Sequence, residues 1–167
     1  AMGGSGQGPH GHEVMARIDP STCTPLAGMP NPARCASNLF VDNQPHPFCS
    51  RTNLQRVLNE AKAKGFVFNV GMEPEHFLVT RGADGSIRPW DPAGVDTLVK
   101  PCYDYRSMSA AMGYLQDVTT ALNQLGWGAY QVDHEDANGQ YEVNFNYADA
   151  LVTADRVTFF RMLSTEI

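Results

Sequence analysis

The sequence has no concentration of basic residues and no long apolar run, and each absence excludes a class of protein. Twelve Lys and Arg against eighteen Asp and Glu give a formal charge of −6, which argues against a nucleic-acid surface. No apolar segment approaches the ~18 residues of a membrane span, and the N-terminus lacks the charged-then-apolar form of a signal peptide. The remaining composition, 43% hydrophobic and 18% charged, is that of an ordinary globular protein. We therefore expect a cytoplasmic protein that binds neither nucleic acid nor membrane.

Cysteine is also scarce, and its spacing carries no familiar pattern. The four residues are Cys23, Cys35, Cys49 and Cys102, with no CxxC pair and no repeated interval. A zinc site or a redox pair is therefore not expected. Isolated cysteines in a non-secreted chain usually behave as small buried apolar residues, and we expect these four to do the same.

The composition changes near residue 50. Residues 1–49 are rich in Gly, Pro, Ser and Asn, which predicts loops with one or two short strands. From residue 50 the apolar positions follow the helical i, i+3, i+4, i+7 spacing, at Leu54, Val57, Leu58 and Ala61. The Gly-rich start and a C-terminal helix pattern without a stop signal indicate a piece excised from a longer chain.

The rest of the chain alternates between strand and helix patterns. Strands are predicted at 66–80, 128–135 and 140–148, a turn at 83–85, and helices at 50–65, 108–125 and from 148 onwards. Short interleaved elements of this kind indicate an α+β fold with a mainly antiparallel sheet.

Two glutamates meet across a predicted hairpin in the segment HEDANGQYEV, residues 134–143. Asn138-Gly139 is the preferred central pair of a two-residue type I′ turn, and such a turn places Glu135 directly opposite Glu142. Opposed residues have Cβ atoms about 4.5–5.5 Å apart, so two like charges there are destabilising unless something compensates them. A shared proton, a basic side chain or a divalent cation would do so.

A second acidic pair occurs in GMEPEHFLV, residues 71–79. Glu73 and Glu75 are two apart in a predicted strand, so they share one face of it. Pro74 lacks an amide donor, which favours an edge strand or a bulge. Four carboxylates on neighbouring strands suit Mg²⁺ or Mn²⁺ better than zinc. From spacing alone, a solvated acidic face is an equally good interpretation.

Both acidic segments resemble the glutamine synthetase family. GMEPEHFLV is similar to its G-x-E-x-E-F strand, and HEDANGQYEVNFNYADALVTADR to its HE-x-x-x-GQ-x-E segment and the strand and helix that follow. IDPST at 18–22 and PHPFCSR at 45–51 resemble the stretch that leads from its N-terminal domain into its catalytic domain. Within the family, KPCYDYRSM, LGWGAYQ and DHEDANGQYE most resemble γ-glutamylmethylamide synthetases and the related type III group.

The resemblance implies a function and a site. Glu75, Glu135 and Glu142 would bind one Mg²⁺ or Mn²⁺ ion and Glu73 a second. ATP would phosphorylate the γ-carboxylate of glutamate, and ammonia or methylamine would then displace the phosphate to form the γ-glutamyl amide. The family also implies a homo-oligomer, a dodecamer of two stacked hexameric rings.

The resemblance also implies a domain organisation. Residues 1–49 would be the tail of an N-terminal β-grasp-like domain with its linker, and residues 50–167 the first, incomplete part of the catalytic domain. The family's later metal-binding His and Glu and its substrate-binding arginines would lie elsewhere, so the 167 residues alone are expected to be inactive. The alternatives are a non-catalytic structural or regulatory member of the fold, and an amidohydrolase fused to such a domain.

A few other residues are candidates for lesser roles. Phe145 and Tyr147 follow the Glu142 strand and could approach the adenine of ATP, although core packing explains them equally well. Strand alternation turns His76 away from Glu75 and His134 away from Glu135, so both are expected to be structural. Tyr103 lies in a loop before a helix and could edge the active site.

Overall fold

The computed structural model describes residues 13–26 and 31–167. Its helices are Ser50–Ala63 (α1), Tyr105–Ser109 (α2), Met112–Gln124 (α3) and Ala150–Glu166 (α4), and Pro20–Thr22 form a 3₁₀ turn. Its strands are Met15–Ile18 (β1), Thr24–Pro25 (β2), Ala33–Arg34 (β3), Ser37–Val41 (β4), Gln44–Pro45 (β5), Asn69–Val70 (β6), Glu75–Phe77 (β7), Val79–Arg81 (β8), Ile87–Pro89 (β9), Ala129–His134 (β10), Gln140–Phe145 (β11) and Ala148–Asp149 (β12). Within the described ranges, no helix is both long and apolar enough to cross a membrane.

The described residues divide into two compact units, one of the described residues up to 69 together with 149–155, the other of residues 70–148 and 156–167. The strand pairs inside each unit are antiparallel, β1–β4–β5 and β2–β3 in the first, β10–β11–β7 and β8–β9 in the second. The predicted α+β class with mainly antiparallel sheets is therefore confirmed. The predicted domain boundary between residues 49 and 50 stays a prediction.

Arg51 on α1 is the main polar anchor of the first unit. Its guanidinium donates to Asp19 at 2.8 Å, to Asp155 at 3.0 Å and to Asn38 at 2.5 Å. The Arg51 side chain is only 11% exposed, so each partner compensates a largely desolvated charge. This network ties α1 to the start of α4 and to the segment after β1.

The expectation that no cysteines pair is wrong. Cys23 and Cys35 form a disulfide at the open end of the β2–β3 hairpin, where Thr24 pairs with Arg34. A separation of twelve residues carries no pairing signal, and only the hairpin brings the two together. The other two cysteines, at positions 49 and 102, are free thiols.

The second unit is built on the alternation of strand β11. Tyr141, Val143 and Phe145 are at most 2% exposed and point into the core, while Gln140 and Glu142 point to the other face. The core side is completed by apolar residues of α3, of α4 and of the loop before β10, namely Leu115, Val118, Leu122, Trp127, Phe159 and Phe160. Burial of each such side chain contributes about 1.5–3 kcal/mol, so the face of β11 is strongly specified.

Two predicted elements are divided in the structure. The helix predicted over 108–125 is two helices, α2 and α3, and Asp104 caps the first by accepting from the Ser107 backbone N–H at 2.7 Å. The strand predicted over 66–80 is three short strands, β6, β7 and β8. Pro74 precedes β7 and still contributes its carbonyl, which accepts from Val143 N–H at 3.2 Å.

Candidate metal centre

The outer face of the β10–β11–β7 sheet carries the acidic residues. Glu142 lies in the middle strand, directly opposite Glu75 on β7 and opposite Asp133 on β10. Glu135 follows β10 immediately, on the same face as Asp133 because side chains alternate along a strand. The apolar side chains of β11 occupy the opposite face, so core packing holds the acids outward.

Three of these carboxylates converge. One oxygen from each of Glu75, Glu135 and Glu142 lies within 4.8 Å of the other two. Glu75 is exposed, and the other two are half-buried. Burial raises the pKa of Glu135, and the neighbouring charges of Glu142 and Glu75 raise it further. The cluster therefore concentrates negative charge that a bound cation would compensate.

Neutral donors hold the three carboxylates in place. Gln140 donates its side-chain amide to Glu75, and Asn144 donates to Glu142 at 2.8 Å. The Cys102 thiol lies 3.8 Å from the Glu135 carboxylate. Burial raises the pKa of Cys102, and the charge of Glu135 adds to the shift, so the sulfur stays protonated and acts as a weak donor.

The donor set fits a hard divalent cation. Carboxylate oxygens are the ligands that Mg²⁺ and Mn²⁺ prefer, and three of them converge without a basic side chain among them in the cluster. Among the described residues, Asn144 has a buried side-chain oxygen with no hydrogen-bond partner, next to Glu142. A buried acceptor of this kind would be satisfied by water bound to such an ion.

The predicted hairpin register is wrong by two residues. Glu142 pairs with Asp133 rather than with Glu135, and Glu135 N–H donates to Gln140 O at 2.9 Å. Of the two central residues, only Gly139 has a positive φ, +74°, so the turn is not type I′. The loop is four residues long, 136–139. An even shift leaves every side chain on its predicted face, which is why Glu135 still reaches the cluster.

Glu73 lies outside the converging set. It is exposed and precedes β7 by two residues, whereas the strand itself begins at Glu75. Its assignment to a second cation stays a prediction.

Asp96 is a buried polar centre that was not predicted from the sequence. Its side chain is fully buried and lies 2.9 Å from His134 Nε2. It also accepts from the Asn138 side chain at 2.8 Å and from Gly139 N–H at 2.7 Å. Although burial alone would raise it, these hydrogen bonds lower the pKa of Asp96. A single Asp in the loop-like stretch VDTLVK gives no sequence signal for this role.

Both histidines weighed from the sequence lie on the core side of the sheet. His76 Nε2 is 2.9 Å from the Tyr114 hydroxyl, its ring contacts Phe160, and burial lowers its pKa. His134 is fully buried and stacks edge-on against Tyr141, with ring centroids 4.9 Å apart. Neither histidine belongs to the three-carboxylate cluster.

The aromatic candidates have different surroundings. Phe145 is 2% exposed, and its ring lies 5.3 Å from that of Trp127, so it contributes to the core. Tyr147 is 70% exposed. Tyr103 is 73% exposed and has a left-handed backbone, φ +62°, with its N–H donated to His134 O at 2.9 Å.

Known proteins match both the sequence and the fold. Residues 47–167 match the model of the glutamine synthetase catalytic domain. Over 93% of this chain, the sequence is 41% identical to a glutamate–methylamine ligase of Methyloversatilis universalis, and over 90% it is 36% identical to a glutamine synthetase of Rhizobium leguminosarum bv. phaseoli. The chain spans 34% of the length of each of these two relatives.

Solved structures agree with this assignment. A GmaS/ADP complex superposes with a TM-score of 0.84 at 38% identity, covering 95% of this chain and 36% of the other. An apo GmaS structure gives a TM-score of 0.83 at the same identity, covering 95% and 37%. The family match extends over both acidic segments, from before β7 to beyond β11. The chain therefore belongs to the glutamine synthetase family.

Proposed function

We propose that this chain forms part of an ATP-dependent ligase that joins glutamate to ammonia or methylamine through a γ-glutamyl phosphate. The observation that carries the proposal is the convergence of Glu75, Glu135 and Glu142 within 4.8 Å on one sheet face. A structural or regulatory member of the fold would have no need to keep three repelling carboxylates together. Phosphoryl transfer from a nucleotide to a carboxylate substrate needs divalent cations that compensate the phosphate charge, and clustered acids can bind such cations.

In this proposal Glu75, Glu135 and Glu142 hold one Mg²⁺ or Mn²⁺ ion, and Glu73 contributes to a second. When bound, the cations supply charge compensation for the phosphates and the substrate carboxylate. The chain's own residues supply the geometry. The three glutamates orient the acceptor side of the site, and Asn144 and Gln140 prevent the carboxylates from turning away. Catalysis then consists mainly of positioning.

Nucleotide contact is assigned to the end of β11. Tyr147 is exposed and could stack on the adenine, and Phe145 would support the strand from the core. The ring of Tyr147 therefore carries the nucleotide proposal, and Phe145 contributes only through packing.

The amine is proposed from relatives of both kinds. The glutamate–methylamine ligase is 41% identical and the glutamine synthetase 36%, which favours methylamine over ammonia. We further propose a cytoplasmic homo-oligomer in which residues 1–49 belong to an N-terminal β-grasp-like domain and residues 50–167 to the catalytic domain.

The test uses a protein of the relatives' length that contains these 167 residues. Purified protein is incubated with ATP, glutamate, Mg²⁺ and either methylamine or ammonia, and ADP and the γ-glutamyl amide are quantified. We expect more product per unit time with methylamine. We also expect a loss of at least about 100-fold in turnover for Glu135→Gln, because the substitution would remove a ligand of the cation that compensates charge in the transition state, and losing one such electrostatic contribution typically costs that much. Unchanged turnover in Glu135→Gln would refute the ligase proposal.

A further inference from the structure

Asp96 contacts both sides of the β10–β11 hairpin, which positions Glu135 and Glu142. On the β10 side its carboxylate lies 2.9 Å from His134 Nε2, one residue before Glu135. On the β11 side it accepts from Gly139 N–H at 2.7 Å, at the start of the strand that carries Glu142. One buried carboxylate thus contacts the backbone or side chains on either side of the loop that separates the two glutamates.

Asp96 is itself held rigidly. The Asp91 carboxylate accepts from Asp96 N–H at 2.9 Å and from Val95 N–H at 3.2 Å. The Asn138 side-chain amide donates to Asp96 Oδ1 at 2.8 Å and to the Leu98 carbonyl at 3.1 Å. Residues 91–98 are therefore joined to the loop at 136–139 by several hydrogen bonds and do more than connect two elements.

These hydrogen bonds account for the observed register of β10 and β11. Asn138-Gly139 alone favours a two-residue turn with Glu135 opposite Glu142, but the structure has a four-residue loop with the pairing shifted by two. The Asn138 side-chain amide and the Gly139 N–H both donate to the Asp96 carboxylate. Gly139 is also closely packed, because an added Cβ would lie 2.9 Å from Leu78 O. A slip to the two-residue turn would move Glu135 about 7 Å along the strand relative to Glu142.

We infer that Asp96 is a positioning residue of the metal centre, which fixes loop 136–139 and thereby the separation of the Glu135 and Glu142 carboxylates. The inference rests on the proposed cation function of those glutamates. Residues that orient metal ligands typically change metal affinity by about 10–100-fold when replaced. Asp96→Asn is therefore expected to weaken cation binding even though Asp96 is not one of the three converging carboxylates.

The test measures Mn²⁺ affinity by the electron paramagnetic resonance of free Mn²⁺, well below the melting temperature of each variant. Asp96→Asn should weaken affinity by about 10-fold or more, and Asn138→Ala, which removes one contact to the carboxylate, by a smaller factor. Amide exchange of Gly139 should accelerate in both. Asp84→Asn is the matched control, because Asp84 accepts from Ser86 in an exposed turn and does not belong to the three-carboxylate cluster.

The outcomes separate the inference from the proposed function. If the unsubstituted protein binds Mn²⁺ and both Asp96→Asn and Asn138→Ala bind it within twofold of that affinity, Asp96 has no positioning role. If Asp96→Asn does not fold, Asn138→Ala decides alone, since its side chain is only half-buried. If the unsubstituted protein itself binds no Mn²⁺, the cation function fails first, independently of Asp96, and the inference falls with it.

Discussion

Replacing Glu135 by Gln should stabilise the metal-free protein and abolish its stabilisation by Mn²⁺. The Glu135 carboxylate has an oxygen within 4.8 Å of those of Glu75 and Glu142. Two unit charges at that distance repel by about 0.9 kcal/mol in a water-like dielectric, so two neighbours cost about 2 kcal/mol. For a chain of this length, that corresponds to a rise of about 4–8 °C in melting temperature.

The assay is thermal unfolding followed by circular dichroism, first in EDTA and then in excess Mn²⁺. A cation at 100 times its dissociation constant adds about 2.7 kcal/mol to the unsubstituted protein, which exceeds the advantage of about 2 kcal/mol that the variant has in EDTA, and Glu135→Gln should gain almost none of it. The order of the two melting temperatures therefore reverses when Mn²⁺ is added. Asp117→Asn, which removes one exposed charge from α3, is the control and should change neither value appreciably.

The pH dependence follows from the same group. The pKa of Glu135 is raised above its ordinary value of 4.5, so the folded state holds the proton more tightly than the unfolded state. The stability that this tighter proton binding by Glu135 contributes is fully present below pH 4.5, and it is lost as pH rises through the raised pKa. In EDTA, the difference in unfolding free energy between Glu135→Gln and the unsubstituted protein should therefore grow between pH 4.5 and pH 7.

Two results would refute this reasoning. A Glu135→Gln variant that melts lower than the unsubstituted protein in EDTA would show that the carboxylate is compensated within the fold. Equal Mn²⁺ stabilisation of the two proteins would show that Glu135 does not bind the cation.

Further predictions concern the fold around the site. Gly139→Ala should cost about 1–3 kcal/mol in denaturant unfolding, because φ is +74° and the new Cβ would meet a backbone carbonyl, whereas Gly85→Ala at φ +81° in open space should cost only about 1 kcal/mol. Phe145→Ala should lose about 3–5 kcal/mol of stability. Tyr147→Ala should change stability by no more than about 0.5 kcal/mol and should instead weaken ATP binding. A larger loss of stability in Tyr147→Ala than in Phe145→Ala would contradict the placement of the two rings. Alkylation of the unfolded, unreduced protein followed by mass spectrometry should label two thiols, and four after reduction.

Sequence patterns predicted the faces of the strands better than their pairing. The two-residue alternation of β11 puts Glu142 on the face opposite Tyr141 and Val143, and burial of the apolar side chains enforces that choice. The same alternation placed His134 on the core side. Face depends only on local periodicity, so it was within reach of the sequence.

The pairing register of β10 and β11 could not be predicted from the local sequence, because a residue distant in the chain determines it. Asp96 lies 42 positions before Asn138 in the sequence and accepts from its side-chain amide, a contact that no local turn rule includes. The pairing of Cys23 with Cys35 was missed for a similar reason, since it depends on the β2–β3 hairpin rather than on spacing. Both corrections come from tertiary contacts that override local preference.

The acidic cluster was predicted in part. The sequence identified Glu75, Glu135 and Glu142, and the structure brings all three together. The expected direct opposition of Glu135 and Glu142 is replaced by Glu142 facing Glu75 across β11 and β7. Long-range pairing of β7 with β11, 65 residues apart in the chain, has no local sequence signal.

The most direct test of the proposed metal centre is a crystal of this protein soaked in Mn²⁺ and measured for anomalous scattering. We predict an anomalous peak in contact with the carboxylates of Glu75, Glu135 and Glu142 together. A map with no peak at that face, or with Mn²⁺ bound by other residues only, would contradict the assignment of these three glutamates as one cation site.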